Sequence, residues 1–442
     1  MEEREDPMVE ATPFWGAIAL SCLLVLSLLS VPIAASMGIV GLGMVLLFYG
    51  DFTALQFIAT SAWGNTAKYS MSMFPLFILM GNLIAKSGLG EDAFDGLNKL
   101  LGRTRGGLAM VSTTTCALFG TVSGSSSSTI IAIGGTAIPE MRRHGYSAPL
   151  RCGSVAVNGC IANLIPPSLA AVLYCVVTET SIAKLFIAGL IPGLVLTVMI
   201  LAVIYIWATV RPEDAPRSTE TYPLKERLAG LRTPLPMLCI FVFMIAGIYN
   251  GFFSPAEAAG MGVLATIVMM VVLGKFTWRK FFDAVSESVK LFTFMFVALM
   301  AAVMFASTIA LSQLPQFIAD WALATVDSPL AILYMIIVIF IIAGFFLENF
   351  GMVMMLVPLF FPVVVQAGFD PVYFGVIMVM LMEVGLLTPP AAPNIYVTQY
   401  VDGGAGVMEV INGTLPFYVT VLGLTVLLVH YPMIAMWLPG TM

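Results

Sequence analysis

Charged residues are scarce in this chain of 442 amino acids. Asp, Glu, Lys and Arg make up 10% of it, 60% of its residues are hydrophobic, and the mean hydropathy is +0.99. A soluble globular protein carries about 25% charged residues, so this composition excludes that class. The long continuous apolar runs exclude a closed β-barrel, whose strands alternate polar and apolar side chains. The sequence therefore predicts an all-α polytopic membrane protein with about a dozen membrane elements.

Metal-binding and nucleophilic residues are also few. The two histidines, His144 and His430, have no cysteine or second histidine near them in the sequence, and the six cysteines lie in apolar runs without paired spacing. We therefore expect neither a disulfide framework nor a metal centre, and we interpret the cysteines as small buried packing residues. Ser125 has no His or Lys partner expected at its depth, so we expect no enzyme. The acidic start MEEREDP, with two apolar runs following one another, predicts no cleavable signal peptide.

Basic residues are absent from the last third of the chain. All 19 Lys and Arg lie at or before Lys290, and 14 of them form clusters near 99–105, 142–151, 211–232 and 275–280. By the positive-inside rule these loops lie in the cytoplasm. The absence also excludes an arginine clamp on an anionic substrate from residues 291–442.

A polar stretch, Ser123–Thr129, interrupts the apolar segment 107–141, and arginines flank both ends of that segment. If both ends are cytoplasmic, the segment cannot cross the membrane once. Folded at the serines, each arm has about 14–17 residues, or roughly 21–25 Å of helix, which is short of a ~30 Å core. We predict a re-entrant helical hairpin whose tip lies near mid-membrane. The alternative is one tilted helix with serines on its packing face.

An internal repeat relates the two halves of the chain. IAKSGL at 84–89 matches IALSQL at 309–314, and LIPPS at 164–168 matches LLTPPA at 386–391. Five such matches occur in order at offsets of 223–225 residues, which indicates two homologous halves.

The second half repeats the hairpin and the prolyl break. Its hairpin is Pro329–Gln366, broken near 348–351, and acidic rather than basic residues flank it, so its mouth should lie outside. Pro166-Pro167 and Pro389-Pro390 should each interrupt a helix, since proline lacks an amide donor. The sequence predicts an inverted-repeat transporter with two re-entrant hairpins and two broken helices.

The tips and breaks are the candidate binding residues. Unwound carbonyls, hydroxyls and half-helix ends can ligate sodium without fixed charge, and each tip should face a break. The predicted sodium ligands are Ser123, Gly124, Ser125, Ser126, Ala162, Ile165, Gly344, Glu348, Gly385, Thr388 and Ala391. The predicted substrate contacts are Ser127, Asn163, Pro166, Asn349, Pro390 and Asn394.

Several of these residues have more than one interpretation. Glu348 is compatible with a cation ligand, a hydrogen bond to substrate or a protonated structural cap, and Glu383 with a satisfied buried acid. The asparagines at the breaks can bind a ligand or cap frayed backbone. Arg142 and Arg143 favour a topology signal over an anion site.

The chain resembles the large membrane subunit of TRAP (tripartite ATP-independent periplasmic) transporters, of the DctM/SiaM type. The resemblance covers roughly residues 10–438. Four of the segments that carry it are FPLFILMGNLIAKSGL, LFGTVSGSSSSTIIAIGGTAIPEMRRHGY, TETSIAKLFIAGLIPG and EVGLLTPP.

The resemblance implies an elevator-type secondary transporter in the bacterial inner membrane, in which a mobile domain slides against a scaffold. It implies sodium-driven uptake of a small organic anion of the carboxylate or sulfonate class. Sodium would be the coupling ion, with no other cofactor. The implied partners are a periplasmic substrate-binding protein, a separate small four-helix membrane subunit and the lipid bilayer, with no nucleic acid.

The chain departs from the family pattern at the breaks. The family usually has glycine and an aliphatic residue where Ala162 and Asn163 stand, and commonly Asp in place of Glu348. After Thr388 the usual PPVG, Leu, Asn is replaced by PPAAPN. We expect a reshaped ion site and an altered substrate pocket.

The predicted organisation has five parts. Residues 1–106 hold scaffold helices, 107–183 the first hairpin and broken helix, and 184–328 linking and scaffold helices with a cytoplasmic loop at 211–232. Residues 329–412 hold the second hairpin and broken helix, and 413–442 a C-terminal helix.

The competing functions are a stand-alone elevator symporter or antiporter that needs no binding protein, and a channel or intramembrane enzyme.

Overall fold

A computed structural model describes residues 12–29, 31–49, 68–217, 222–347 and 349–442, with isolated positions at 56, 59–60 and 63–64. These ranges contain helices and no strand. Within them, six helices are long and apolar enough to cross a membrane, or eight if each of two bent pairs is one span. The all-helical membrane fold is confirmed.

The helices of the first half are α1 (Pro13–Leu28), α2 (Ile33–Tyr49), α3 (Met73–Ser87), α4 (Leu89–Leu101), α5 (Gly107–Ser123), α6 (Ser126–Arg143), α7 (Ala148–Leu164), α8 (Leu169–Thr178) and α9 (Ile182–Val210). Those of the second half are α10 (Leu224–Gly230), α11 (Leu235–Tyr249), α12 (Pro255–Val272), α13 (Trp278–Leu311), α14 (Leu314–Thr325), α15 (Pro329–Gly344), α16 (Asn349–Gln366), α17 (Pro371–Leu386), α18 (Pro393–Asp402), α19 (Val407–His430) and α20 (Met433–Met436). Short 3-10 turns cover Tyr69–Ser72, Pro212–Asp214 and Pro439–Thr441.

The same helix order occurs twice. Helices α5 and α6 form the first hairpin, and α15 and α16 form the second; the second arms begin 223 positions apart, at Ser126 and Asn349. The broken helices are α7–α8 and α17–α18, and the first of these bends by 44° at its break. Both hairpins and both broken helices therefore lie where the repeat predicts them.

The repeat extends to single hydrogen bonds at the turns before α4 and α14. The Ser87 hydroxyl donates to the Ile84 carbonyl at 2.6 Å and accepts from the Leu89 amide at 3.1 Å. In the second half, the Ser312 hydroxyl donates to the Ile309 carbonyl at 2.7 Å and accepts from the Leu314 amide at 3.4 Å. The residue between serine and leucine is left-handed in both turns, glycine (φ +76°) in one and glutamine (φ +58°) in the other.

The long helices α9 and α19 pack around the broken helices. Helix α19 lies against α7 along much of its length, and α9 contacts α5, α7, α17 and α19. On the other side, α3 packs on α12 and α13, and α13 also packs on α2. The cysteines follow this packing only in part: Cys116, Cys152, Cys160 and Cys175 are buried as expected, whereas Cys22 and Cys239 are exposed because they lie on outward faces of α1 and α11.

A charged cluster holds the end of α18 against the first half. The Asp402 carboxylate is fully buried and forms ion pairs with the Arg151 Nε atom and the Arg142 Nη2 atom, each at 2.7 Å. The Ala405 amide donates to the same carboxylate at 2.7 Å. Arg142, which we interpreted as a topology signal, therefore also ties α6 to the second broken helix.

The left-handed glutamine gives a first prediction. A left-handed residue other than glycine costs about 1–2 kcal/mol, and glycine returns about 0.5–1 kcal/mol as backbone entropy. We expect Gln313→Gly to stabilise the protein by about 0.5–1 kcal/mol, and Gly88→Ala, at the repeat-related position, to destabilise it. Melting temperatures of the purified variants measure both effects, and equal shifts of the same sign would contradict the explanation.

The Asp402 cluster gives a second prediction. Removing one partner of a buried ion pair leaves an incompletely compensated charge, which costs about 3–5 kcal/mol in a fully buried pair. Since Arg142 remains in contact, we expect Arg151→Ala to destabilise the protein by about 2–3 kcal/mol. The control is Arg143→Ala, an exposed arginine at the end of α6, which should change stability by less than about 0.5 kcal/mol. Indistinguishable melting temperatures for the two variants would contradict the role of the cluster.

Candidate ion and substrate site

The tip of the first hairpin is a two-residue turn, Gly124 and Ser125, between α5 and α6. Helix α5 ends at Ser123, and Gly124 takes the left-handed conformation with φ +60°. Ser125 is the N-cap of α6, and its hydroxyl accepts from the Ser128 amide at 3.5 Å. Glycine permits the positive φ and serine satisfies a free amide, so the SGSS order itself builds the turn.

This tip touches the first broken helix through backbone atoms. The Gly124 carbonyl accepts from the Leu169 amide at 3.3 Å. A Cβ atom on Gly124 would lie 2.5 Å from the Pro167 carbonyl oxygen, and one on Gly120 would lie 2.5 Å from the Ala162 Cα atom. No side chain larger than hydrogen fits at either glycine. The first hairpin and the first broken helix are therefore in direct contact, at Gly124 with Pro167 and Leu169 and at Gly120 with Ala162.

The break itself leaves polar backbone in the protein interior. Helix α7 ends at Leu164, Ile165 is extended, and the Ser168 hydroxyl caps α8 by accepting from the Ala171 amide at 3.2 Å. The Pro166-Pro167 bond is cis, as is Pro389-Pro390 in the other half. The last carbonyls of α7 have no helical partner and are free to ligate a cation.

The hydroxyls of the tip are partly engaged with one another. Ser123 and Thr129 share a hydrogen bond of 2.8 Å, and the Thr129 hydroxyl is 2.9 Å from the Ser125 carbonyl. The Ser126 hydroxyl donates to the Asn394 Oδ1 atom at 2.8 Å, across the two halves. Ser127 is half-buried and its hydroxyl has no hydrogen bond to the described residues.

The second hairpin meets its own broken helix in the same way. A Cβ atom on Gly344 would lie 3.0 Å from the Gly385 Cα atom, which parallels the contact between Gly120 and Ala162. The Thr388 hydroxyl donates to the Val384 carbonyl at 2.6 Å, so its lone pairs remain available. The Asn349 Oδ1 atom is buried and has no partner among the described residues.

The remaining predicted residues of the second site differ in position. Ala391 is half-buried and Pro390 is exposed, next to a buried Ala392 with φ +29°. Glu348, predicted as a sodium ligand, lies outside the described residues.

Two of the three asparagines at the breaks are engaged within the protein. Asn394 is fully buried and, besides accepting from Ser126, donates to the Ala156 carbonyl at 3.3 Å. Asn163 donates to the Glu383 carboxylate at 2.8 Å. Their predicted contacts with substrate remain predictions, and each asparagine already joins the first half to the second.

Sequence reasoning did not identify Glu383 and Asp402 as connecting residues. Both are buried acids within residues 291–442, which contain no Lys or Arg, so any basic partner has to come from earlier in the chain. That absence of local cations was the available signal. That signal identifies neither Asn163 nor Arg151, because contacts between the two halves depend on the tertiary structure.

A polar crevice of about 590 Å³ lies beside the first hairpin. One wall is α6, with Ser128, close to the tip, and Thr136. The other wall includes Lys86 and Glu287, which pair at 2.7 Å, and Glu91. Lys86 is the basic residue among the described lining residues, and its charge is already compensated.

Comparison with known proteins gives the family. Residues 20–434 match the family described as tripartite ATP-independent periplasmic transporter, DctM component. The C4-dicarboxylate TRAP transporter large permease protein DctM of Pseudomonas aeruginosa is 36% identical over 92% of this chain and 94% of that protein. The ectoine/5-hydroxyectoine TRAP transporter large permease protein UehC of Ruegeria pomeroyi is 33% identical over 89% and 91%.

A solved structure shares the fold. The YdaH transporter of Alcanivorax borkumensis aligns with a TM-score of 0.60 over 96% of this chain and 99% of that one, at 16% identity. At that identity the likeness concerns the fold alone. With the family model and the relatives together, the chain belongs to the DctM family of TRAP transporter large permeases, and it is a multi-pass transport protein rather than an enzyme.

Proposed function

We propose that this chain couples an inward sodium gradient to the uptake of a small organic anion. The observation that carries the proposal is the contact of each hairpin with its broken helix, at Gly120 with Ala162 and at Gly344 with Gly385, together with the contact of the first tip, at Gly124, with the prolyl break at Pro167. Backbone carbonyls and hydroxyls lie beside these contacts without a basic residue, which suits a sodium ion.

The charge of the crevice supports a cation as co-substrate. Lys86 is paired with Glu287, and Glu91 adds a second carboxylate, so the described lining offers no uncompensated positive charge. A carboxylate or sulfonate that enters such a site needs a counter-charge. Sodium at the tips and the positive ends of the half-helices would supply it. C4-dicarboxylates, the substrate class in the name of the Pseudomonas aeruginosa relative, are the first class to test.

An elevator movement is supported by how the helices group. The two hairpins, the two broken helices and the flanking α9 and α19 pack on one another, and α2, α3, α12 and α13 form a second set, which meets the first where α3 contacts α5 and α13 contacts α16. The crevice separates α6 of the first set from α3 and α13 of the second. We propose that the first set moves as one body, with α9 and α19 included, and that the crevice is its cytoplasmic exit route.

The partners follow from the tripartite family. We propose that a periplasmic substrate-binding protein delivers the anion and that a separate small membrane subunit completes the scaffold. We place the complex in the bacterial inner membrane, with the basic loops at 99–105 and 142–151 in the cytoplasm.

Uptake into proteoliposomes tests the proposal. The vesicles contain this chain and its small partner, with or without the binding protein, under an inward sodium gradient or a matched potassium gradient. We expect radiolabelled C4-dicarboxylate to accumulate only with sodium and the binding protein together. Sodium-driven uptake without the binding protein would instead support a stand-alone elevator transporter, and uptake with potassium would contradict sodium coupling.

The tip contact gives a site-specific prediction. In Gly124→Ala the new Cβ atom would lie 2.5 Å from the Pro167 oxygen, so the tip must move away from the break. We expect the apparent sodium affinity of uptake to fall by about tenfold or more, since each 1.4 kcal/mol of lost ligand geometry is tenfold. The control is Gly423→Ala, where a Cβ atom meets open space. An unchanged sodium affinity in Gly124→Ala would remove the first tip from the ion site.

A further inference from the structure

A fully buried carboxylate lies between the two broken helices. Glu383 of α17 has no exposed surface, its Oε1 atom accepts from the Asn163 amide of α7 at 2.8 Å, and its Oε2 atom has no partner among the described residues. No ion pair of the described residues includes it. A carboxylate at membrane depth is costly and is a candidate functional residue by default.

The Asn163–Glu383 pair lies next to a contact of each hairpin with its broken helix. Asn163 directly follows Ala162, and Ala162 contacts Gly120 of the first hairpin. Glu383 lies two residues before Gly385, and Gly385 contacts Gly344 of the second hairpin. One hydrogen bond of 2.8 Å thus joins the two helices that carry the predicted ion sites. Each residue of this hydrogen bond is within two positions of a residue that contacts a hairpin.

The pair does not follow from the repeat. At the offset of 223 that relates the two Pro-Pro bonds, Asn163 corresponds to Leu386, and Glu383 corresponds to Cys160. Replacing both partners of a buried polar pair by apolar groups of the same shape is nearly neutral or stabilising. Stability alone therefore does not explain why one half supplies an amide and the other a carboxylate.

A second polar chain leads to the same point. The Ser126 hydroxyl at the first tip donates to Asn394 at 2.8 Å, and the Asn394 amide lies 3.9 Å from the Cys160 sulfur. The Cys160 thiol lies 3.8 Å from the Glu383 carbonyl oxygen. Polar contacts therefore connect the first tip to α17 at the residue that Asn163 holds.

We propose that the Asn163–Glu383 hydrogen bond couples the two sodium sites, so that an ion at one site raises the affinity of the other. The inference rests on the proposed function. Asn163 and Glu383 act as positioning residues: an ion that orders the break after α7 fixes the Asn163 amide, and the amide fixes α17 next to Gly385. Coupling of this kind is a free energy shared between two sites and is reciprocal.

Equilibrium binding of sodium tests the coupling. Sodium binding to the purified complete complex is measured by isothermal titration calorimetry for the wild type, Asn163→Leu and the double variant Asn163→Leu with Glu383→Met, because an uptake rate that needs two ions is sigmoidal whether or not the sites are coupled. Asn163→Leu leaves Glu383 without its donor, so we expect a lower melting temperature, an apparent sodium affinity reduced about tenfold and a Hill coefficient near one. Asn412→Leu, an exposed asparagine on α19, is the matched control and should behave as wild type.

The double variant separates coupling from stability. Leucine and methionine have shapes close to asparagine and glutamate, so the double variant should regain the melting temperature of the wild type. If the pair couples the sites, its Hill coefficient stays near one. If the pair serves only stability, both quantities return together, and the inference is overturned.

Two results for the wild type also decide the matter. A Hill coefficient of one in the wild type would overturn the coupling while leaving sodium-driven uptake intact. Uptake that ignores sodium altogether would remove the proposed function, and this inference with it.

Discussion

The structure depends on the close approach of two backbones inside a membrane. Polar backbone at that depth is tolerated only where it finds partners within the protein. Here each hairpin packs its backbone against a broken helix. The approach leaves no room for a side chain on Gly124 of the first hairpin and little on Gly344 of the second. The glycines and serines of the tips are therefore requirements of the fold before they are ligands. An ion that binds there uses oxygens that the fold already had to place.

The two halves solve this constraint with the same parts and different chemistry. The first tip is dense in hydroxyls, whereas the polar residues of the second are Glu348 and Asn349 between apolar neighbours, yet both hairpins bring a small residue of the first arm against the end of a helix half. Where the halves meet, the symmetry ends: Asp402 is held by two arginines of the first half, and Glu383 by Asn163. The contacts that make one body of the two halves are thus the ones that a duplication could not supply.

The sequence predicted features that repeat or that depend on local chemistry. The offsets of 223–225 residues located both hairpins and both breaks, because the residues that interrupt a helix act where they stand. Partners across the halves could not be predicted, because nothing in the local sequence of Glu383 identifies Asn163 as its neighbour. Asn163 and Asn394 were predicted as substrate contacts, and the side chains that they contact within the protein could be identified only from the packing.

This division bears on how such a transporter responds to an ion. A site made only from the residues of one half would bind sodium without changing the sodium affinity of a site in the other half. The cross-half contacts at Ser126–Asn394 and Asn163–Glu383 give the two breaks shared neighbours, both in the buried interior. In a rigid, closely packed interior, a shift at one break must be accommodated by those neighbours. Under the proposed elevator mechanism, the body that carries the substrate would move only when both breaks are ordered, because the asymmetric contacts join the two breaks into one structural unit.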